Sequence, residues 1–232
     1  MLSLELDIGQ DCVLAAAVAA YQRADFTEAF ALFLDLAEQG NVDAKAWLGA
    51  MYANGEGVPA SLSTAVELYR ESAEAGNVLA QTNLGAMLAM GQGAPRDEVE
   101  GARWLTRASE QGDLFAQYNL ATLYSKGLGV PCDHVLAARW YRAAAEAGHY
   151  PSQARLGHFY ANGIGVTKDR VEAYVWLSLA AQHGVGTALN ALEAVVSQMS
   201  AEEKGRGAAL VEAWRSRTPD ASRHARLQPR PG

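Results

Sequence analysis

A fixed period of 36 residues constrains this chain more than any other feature. Glycines fall at Gly40, Gly76, Gly112, Gly148 and Gly184. Between them a second pattern recurs: Leu48-Gly49, Tyr52, then Asn54-Gly55-Glu56-Gly57-Val58-Pro59. It returns as Leu84-Gly85 with Gly91-Gln92-Gly93-Ala94-Pro95, and as Leu120, Tyr124 and Gly127-Leu128-Gly129-Val130-Pro131. A further copy is Leu156-Gly157, Tyr160 and Gly163-Ile164-Gly165-Val166. A period in this range marks stacked repeats, none of which can bury its apolar face alone. Because an array grows by stacking, the length of 232 residues says little about domain number.

Each unit reads as two helices. The first helices are expected at about 42–54, 78–90, 114–126, 150–162 and 186–198, and the second at about 61–75, 97–111, 133–147 and 169–183. The second helices carry matched apolar faces: Ala65, Leu68, Tyr69 and Ala73 align with Gly101, Trp104, Leu105 and Ser109. The same face returns as Ala137, Trp140, Tyr141 and Ala145, then Ala173, Trp176, Leu177 and Ala181. Helical spacing makes the stripe Trp104, Trp140, Trp176 core. Gly49, Gly85 and Gly157 sit in mid-helix, where glycine costs about 1 kcal/mol against alanine, so close backbone crossings are expected there. The paired loop glycines supply a left-handed helix end and then a turn.

The ends depart from the pattern. A helix is expected over about 11–22, with residues 1–10 left unassigned, and Phe26, Ala29, Phe33, Leu36 and Ala37 mark a second helix ended by Gly40. In the last unit Glu193 replaces the crossing glycine and the Gly-x-Gly loop is missing. Ser200-Ala201-Glu202-Glu203 reads as a capping box opening a final helix to about Trp214, with Ala209, Leu210, Ala213 and Trp214 expected to seal the array. The domain reading is an N-terminal hairpin at 1–40, an array at 41–199, a capping helix at 200–216 and a disordered basic tail at 217–232. Residues 215–232 carry five arginines and one aspartate.

Composition narrows the functions. Half the residues are apolar and only 8% aromatic, which suits close packing of helices through small side chains. A net charge of −7 argues against general nucleic-acid binding. Two cysteines, Cys12 and Cys132, cannot form a disulfide framework and fit a reducing compartment. No apolar run is long enough for a membrane span. The run from Cys12 to Ala20 lacks the basic leader of a signal peptide, so a cytoplasmic protein is expected; a periplasmic one with its signal removed is the alternative.

The chemistry-bearing motifs are few. The Gly-x-Gly pairs follow no strand and lack a third glycine, so they are repeat turns rather than a dinucleotide fingerprint. Cys132-Asp133-His134 places nucleophile and base types side by side, but Asp133 occupies the repeat position of Asp97 and reads as a helix N-cap. His149 and His183 flank repeat glycines and are expected near helix ends, where a cation suits the dipole. No catalytic residues, metal ligands or cofactors are assigned.

The unit L-G-x-x-Y-x-x-G-x-G-V-P followed by A-x-x-W-Y-x-x-A-A-E-x-G resembles the Sel-one-like repeat, a branch of the tetratricopeptide superfamily. Its best copy runs from Ala137 through Trp140-Tyr141 to Glu146-Ala147-Gly148, and Ala116-Gln117-Tyr118-Asn119-Leu120 is another. The resemblance covers about residues 24–200 and implies an all-α, right-handed α-solenoid of about five helix-turn-helix repeats with a C-terminal capping helix. It also implies a non-enzymatic scaffold or adaptor, of bacterial type, that holds a partner protein or peptide. A cysteine-rich subgroup is linked to penicillin binding or β-lactam hydrolysis through disulfides in nearly every repeat, a pattern that two isolated cysteines do not share. A passive structural or oligomerisation module is the other alternative.

In tetratricopeptide-like arrays the first helices line a concave groove. The positions there that packing leaves open give Trp47, Asn54, Asn83, Met90, Phe115, Tyr118, Asn119, Thr122, Lys126, Arg155, His158 and Asn162 as candidate partner-binding residues. Asparagine amides can both donate to and accept from an extended backbone, Arg155 can fork onto a carboxylate, and Tyr118 is an anchor type. Asn83 and Asn119 have the duller alternative of bracing a helix pair. The partner is expected to be a protein or peptide, not nucleic acid, and the chain itself a monomer.

Overall fold

The computed structural model describes residues 2–217, with side chains from Gly9 onward. The expected tail at 217–232 lies outside the described residues, apart from Arg217. The described residues hold twelve helices: α1 (Leu2–Gln22), α2 (Phe26–Glu38), α3 (Val42–Asn54), α4 (Leu62–Glu74), α5 (Val78–Met90), α6 (Glu98–Glu110), α7 (Leu114–Lys126), α8 (His134–Glu146), α9 (Tyr150–Asn162), α10 (Arg170–Gln182), α11 (Gly186–Val196) and α12 (Ala201–Arg217). The repeat helices fall where the period puts them. The first helix does not, because α1 runs through residues 2–10 as well. Alternating apolar and polar residues over so short a stretch cannot exclude a helix, and no proline interrupts it.

The chain forms two compact units that divide within α6, at residues 108 and 109. In the first, the α1–α3 core is Ala17, Ala20, Phe33, Leu36, Leu48 and Met51, and the α3–α6 core includes Ala65, Tyr69, Leu84 and Trp104. In the second, one core runs through Tyr141, Leu156, Phe159, Trp176 and Leu177 to Val195 and Val211.

Local chemistry sets the helix ends. Asn41, Asn77 and Asp113 cap α3, α5 and α7, each accepting from the backbone N–H three residues on, at 2.9, 2.8 and 2.7 Å. Gly55, Gly91, Gly127 and Gly163 close first helices in the left-handed conformation, with φ between 68° and 72°. The second loop glycine has a different task. A Cβ on Gly57 would lie 2.4 Å from the Phe26 carbonyl oxygen, on Gly93 2.2 Å from that of Leu62, and on Gly165 2.1 Å from that of His134. Phe26, Leu62 and His134 each open the second helix of the preceding repeat. The loop therefore seats its backbone on the backbone of its neighbour.

The mid-helix glycines mark close crossings, as expected. A Cβ on Gly49 would meet the Tyr69 ring at 2.9 Å, and one on Gly157 would meet Leu177 Cγ at 2.7 Å. At Gly85 the opposing residue is itself glycine: a Cβ on Gly101 would lie 2.7 Å from the Gly85 carbonyl oxygen. The amide that braces each pair is not asparagine but glutamine. Gln81, Gln117 and Gln153 are buried, and their Nε2 groups donate to the carbonyls of Ala73, Ser109 and Ala145 at 3.2, 3.3 and 3.1 Å.

Past α11 the pattern changes, and α12 packs on α10. Its capping box is reciprocal: Ser200 N–H donates to Glu203 at 2.8 Å, and Glu203 N–H donates to Ser200 Oγ at 3.1 Å. Of the residues expected to seal the array, Ala209, Leu210 and Ala213 are exposed. Gly207 and Val211 are buried instead, with Trp214 packed beside them. Gly207 lets the Tyr174 ring come within 2.5 Å of where its Cβ would be. The inward face is thus set by Gly207, a residue without the apolar side chain on which a sequence pattern relies.

Candidate partner-binding face

The candidate residues separate by unit. In the first, Trp47 stacks on Phe33 (centroids 5.5 Å apart, planes at 4°) and tilts against Tyr21 at 4.9 Å, so its ring is core. Asn54 donates to Glu56 at 3.3 Å, and the same carboxylate accepts from Tyr21 at 2.7 Å, which tightens the Gly55–Gly57 loop. Asn83 is half-buried and Met90 is 59% exposed, large for a methionine with no functional load.

In the second unit the candidates come together. Phe115 and Tyr118, a turn apart on α7, both turn ring edges toward His149, at 5.3 and 5.2 Å. Thr122 shares a 2.9 Å hydrogen bond with the Tyr141 hydroxyl and donates or accepts there while also reaching the Tyr118 carbonyl at 3.0 Å. Burial pushes the Tyr141 hydroxyl up from its ordinary pKa, with the Thr122 bond pulling the other way. Thr122 is therefore tied into packing. Asn162 donates to the His158 carbonyl at 2.9 Å, and its amide nitrogen lies 3.3 Å from His158 Nδ1.

Asn119, Lys126 and Arg155 differ from these. Among the described residues none of the three makes a side-chain hydrogen bond or ion pair, and Asn83 shares this property. The bracing alternative for Asn83 and Asn119 accordingly has no bond behind it, and the buried glutamines fill that role. Lys126 and Arg155 are exposed.

A cavity of about 280 Å³ lies in this unit, walled by α9 and α11 and lined in part by Tyr118, Arg155 and His158. Its remaining walls are mostly apolar: Pro151, Ala154, Leu177, Val185, Ala188 and Ala191, with Thr187 at the α11 end. Sequence reasoning missed the α11 contribution because that unit lacks the crossing glycine and the Gly-x-Gly loop by which the other units were aligned. The signal was present, since Ala191 occupies the same repeat position as Arg155.

His149 is also unlike its expectation as a helix-end cation. It is the N-cap of α9 at the position of Asn41, Asn77 and Asp113, but makes no side-chain cap bond. Its Nδ1 pairs with Ser152 Oγ at 2.8 Å. Burial pulls its pKa down from 6.5 to about 4, which keeps the ring neutral between Phe115 and Tyr118. His183 does end α10, stacked on Tyr150 at 3.6 Å, and burial lowers its pKa too. Cys132 Sγ lies 3.9 Å from His134 Nε2, both exposed, while Asp133 is occupied in capping α8. Among the described residues no group of three metal-ligating side chains converges.

Helix pairs stacked at a 36-residue period, with no strand among the described residues, define an all-α solenoid. Four consecutive segments, residues 42–77, 78–113, 114–149 and 151–185, match the Sel1 repeat, and the chain belongs to the Sel1 repeat family. It is similar to the structure of a protective antigen present in uropathogenic Escherichia coli strains that displays this fold, with 31% identity and a TM-score of 0.78. That match covers 87% of this chain and 44% of the antigen, so the chain spans less than half of that protein's length. A Sel1 repeat protein from Oxalobacter formigenes is also 31% identical, with a TM-score of 0.68, over 77% of this chain and 73% of its own. A Klebsiella pneumoniae protein described as a Sel1 repeat protein shares the fold at 20% identity and a TM-score of 0.56, over 81% and 93% of the two chains. No curated protein matches the chain. Sel1 repeats commonly mediate protein–protein interaction and are generally non-enzymatic.

Proposed function

We propose that this protein is a non-catalytic scaffold that binds a partner protein or peptide on the face formed by the first helices of its second unit. The observation that carries the reading is the second-unit cavity, which Tyr118, His158 and Arg155 line together with apolar walls. A few polar groups converging on an apolar hollow is the usual build of a recognition site. Repeat arrays characteristically bind along such a face. The protein acts as a monomer in the cytoplasm, in keeping with two exposed free thiols.

The test is a pull-down from native lysate with the wild type and with a Tyr118→Ala, Lys126→Glu, Arg155→Glu variant of confirmed helicity. Loss of a captured protein in the variant supports this face. Equal capture by both moves binding elsewhere, and hydrolysis of a chromogenic β-lactam would refute the non-catalytic part.

A further inference from the structure

We propose that the α9–α11 cavity captures the free C-terminal carboxylate of a partner peptide whose last side chain is apolar. This deepens the scaffold reading and rests on it.

The argument begins with charge. The chain is acidic overall, at −7, yet no carboxylate answers Arg155 among the described residues. An exposed guanidinium held beside an apolar hollow is a fork waiting for a planar anion, and carboxylate geometry fits it with two parallel bonds. The second point is the hollow itself. Ala154, Leu177, Ala188 and Ala191 help wall a space of about 280 Å³, at the lower end of the range for ligand pockets and large enough for an apolar side chain. Tyr118, His158 and Arg155 line the same cavity as these apolar walls. An internal apolar residue would fill the hollow and leave Arg155 unpaired. An internal aspartate or glutamate would pair Arg155 and leave the walls bare. A chain end with an apolar side chain presents both groups from one residue, and terminal carboxylates are a known target of peptide-recognition sites.

The probe is N-acetyl-leucyl-leucine as the free acid, titrated into the isotope-labelled full chain and followed by amide resonances. It should shift residues around Pro151–His158 and Val185–Ala191 with a Kd of about 1 mM. The C-terminal amide of the same dipeptide should bind about tenfold more weakly or worse, and Arg155→Gln should lose a similar factor for the acid. Arg155→Lys should keep more of the affinity than Arg155→Gln. Being exposed, this residue can be changed without loss of fold, which unshifted amide resonances of the second unit away from the cavity report. Equal binding of the amide overturns the carboxylate. Tighter binding of N-acetyl-leucyl-glutamic acid α-amide, whose only carboxylate is on the side chain, reassigns the site to internal acidic residues. The absence of any saturable shift at these residues overturns the site altogether. The chain-end proposal can fail by itself: a protein captured through this face by wild type, and still captured after carboxypeptidase treatment, sinks it and leaves the scaffold reading standing.

Discussion

Gly157→Ala tests the close crossing of α9 and α10. At an open helix position this change would stabilise by up to about 1 kcal/mol through helix propensity. Here the new Cβ would sit 2.7 Å from Leu177 Cγ, 3.0 Å from its Cδ2 and 3.0 Å from its backbone nitrogen. Leu177 is 1% exposed, so its side chain has no room to withdraw, and the backbone contact forces the helices apart by some tenths of an ångström. Overpacking of this kind costs about 1–3 kcal/mol, and after a propensity gain of about 1 kcal/mol the net loss is about 0–2 kcal/mol, against a net gain at an open site. Gly205→Ala on α12 is the control, because nothing lies within 4 Å of its Cβ position. It should gain the propensity term alone, up to about 1 kcal/mol. Urea unfolding followed by far-ultraviolet circular dichroism reads both midpoints, with hydrogen exchange localising the loss to the second unit, since arrays need not unfold as one. If Gly157→Ala matches Gly205→Ala in stability, the crossing is looser than described and the reasoning fails.

Other perturbations follow from the same geometry. His149 is depressed to about 4 from 6.5, so the unfolded state binds the extra proton between those values. Stability is therefore complete above about pH 6.5 and falls by about 2–3 kcal/mol as pH drops toward 4. His149→Asn restores the cap used by Asn41 and Asn77, so urea midpoints at neutral and acid pH should diverge less in the variant than in wild type. An undiminished acid loss would place it on another group, His183 first. Ser200→Ala removes one arm of the α12 capping box and should cost about 1 kcal/mol, seen as faster amide exchange near Val211 with the first unit unchanged. Protection unaltered at Val211 would mean that packing on α10 alone holds the helix.

The repeat helices were legible because three signals agreed: the period, the loop glycines and the apolar faces. The ends were less so. The α1 start carries no repeated neighbour for comparison, and the inward face of α12 turns on Gly207, whose contribution is the absence of a side chain. The candidate site was legible in part. Tyr118, Arg155 and His158 were found by reading across repeats, yet Trp47 and Thr122 occupy equivalent-looking positions and are tied into packing. Sequence spacing gives the face on which a residue lies but not whether a neighbour claims its polar atom. Thr122 is claimed by Tyr141 and Asn54 by Glu56, whereas nothing claims Arg155 among the described residues.

The seat of Gly57, Gly93 and Gly165 on a neighbouring carbonyl is a joint made of main chain on both sides. Such a joint is indifferent to the letters it connects, provided the glycine stays. The outward letters of a 36-residue block can therefore be rewritten without re-cutting this joint to the block before it. Recognition and assembly are in this sense separately heritable, and the glycine that contributes no side chain to any partner is what lets the others change.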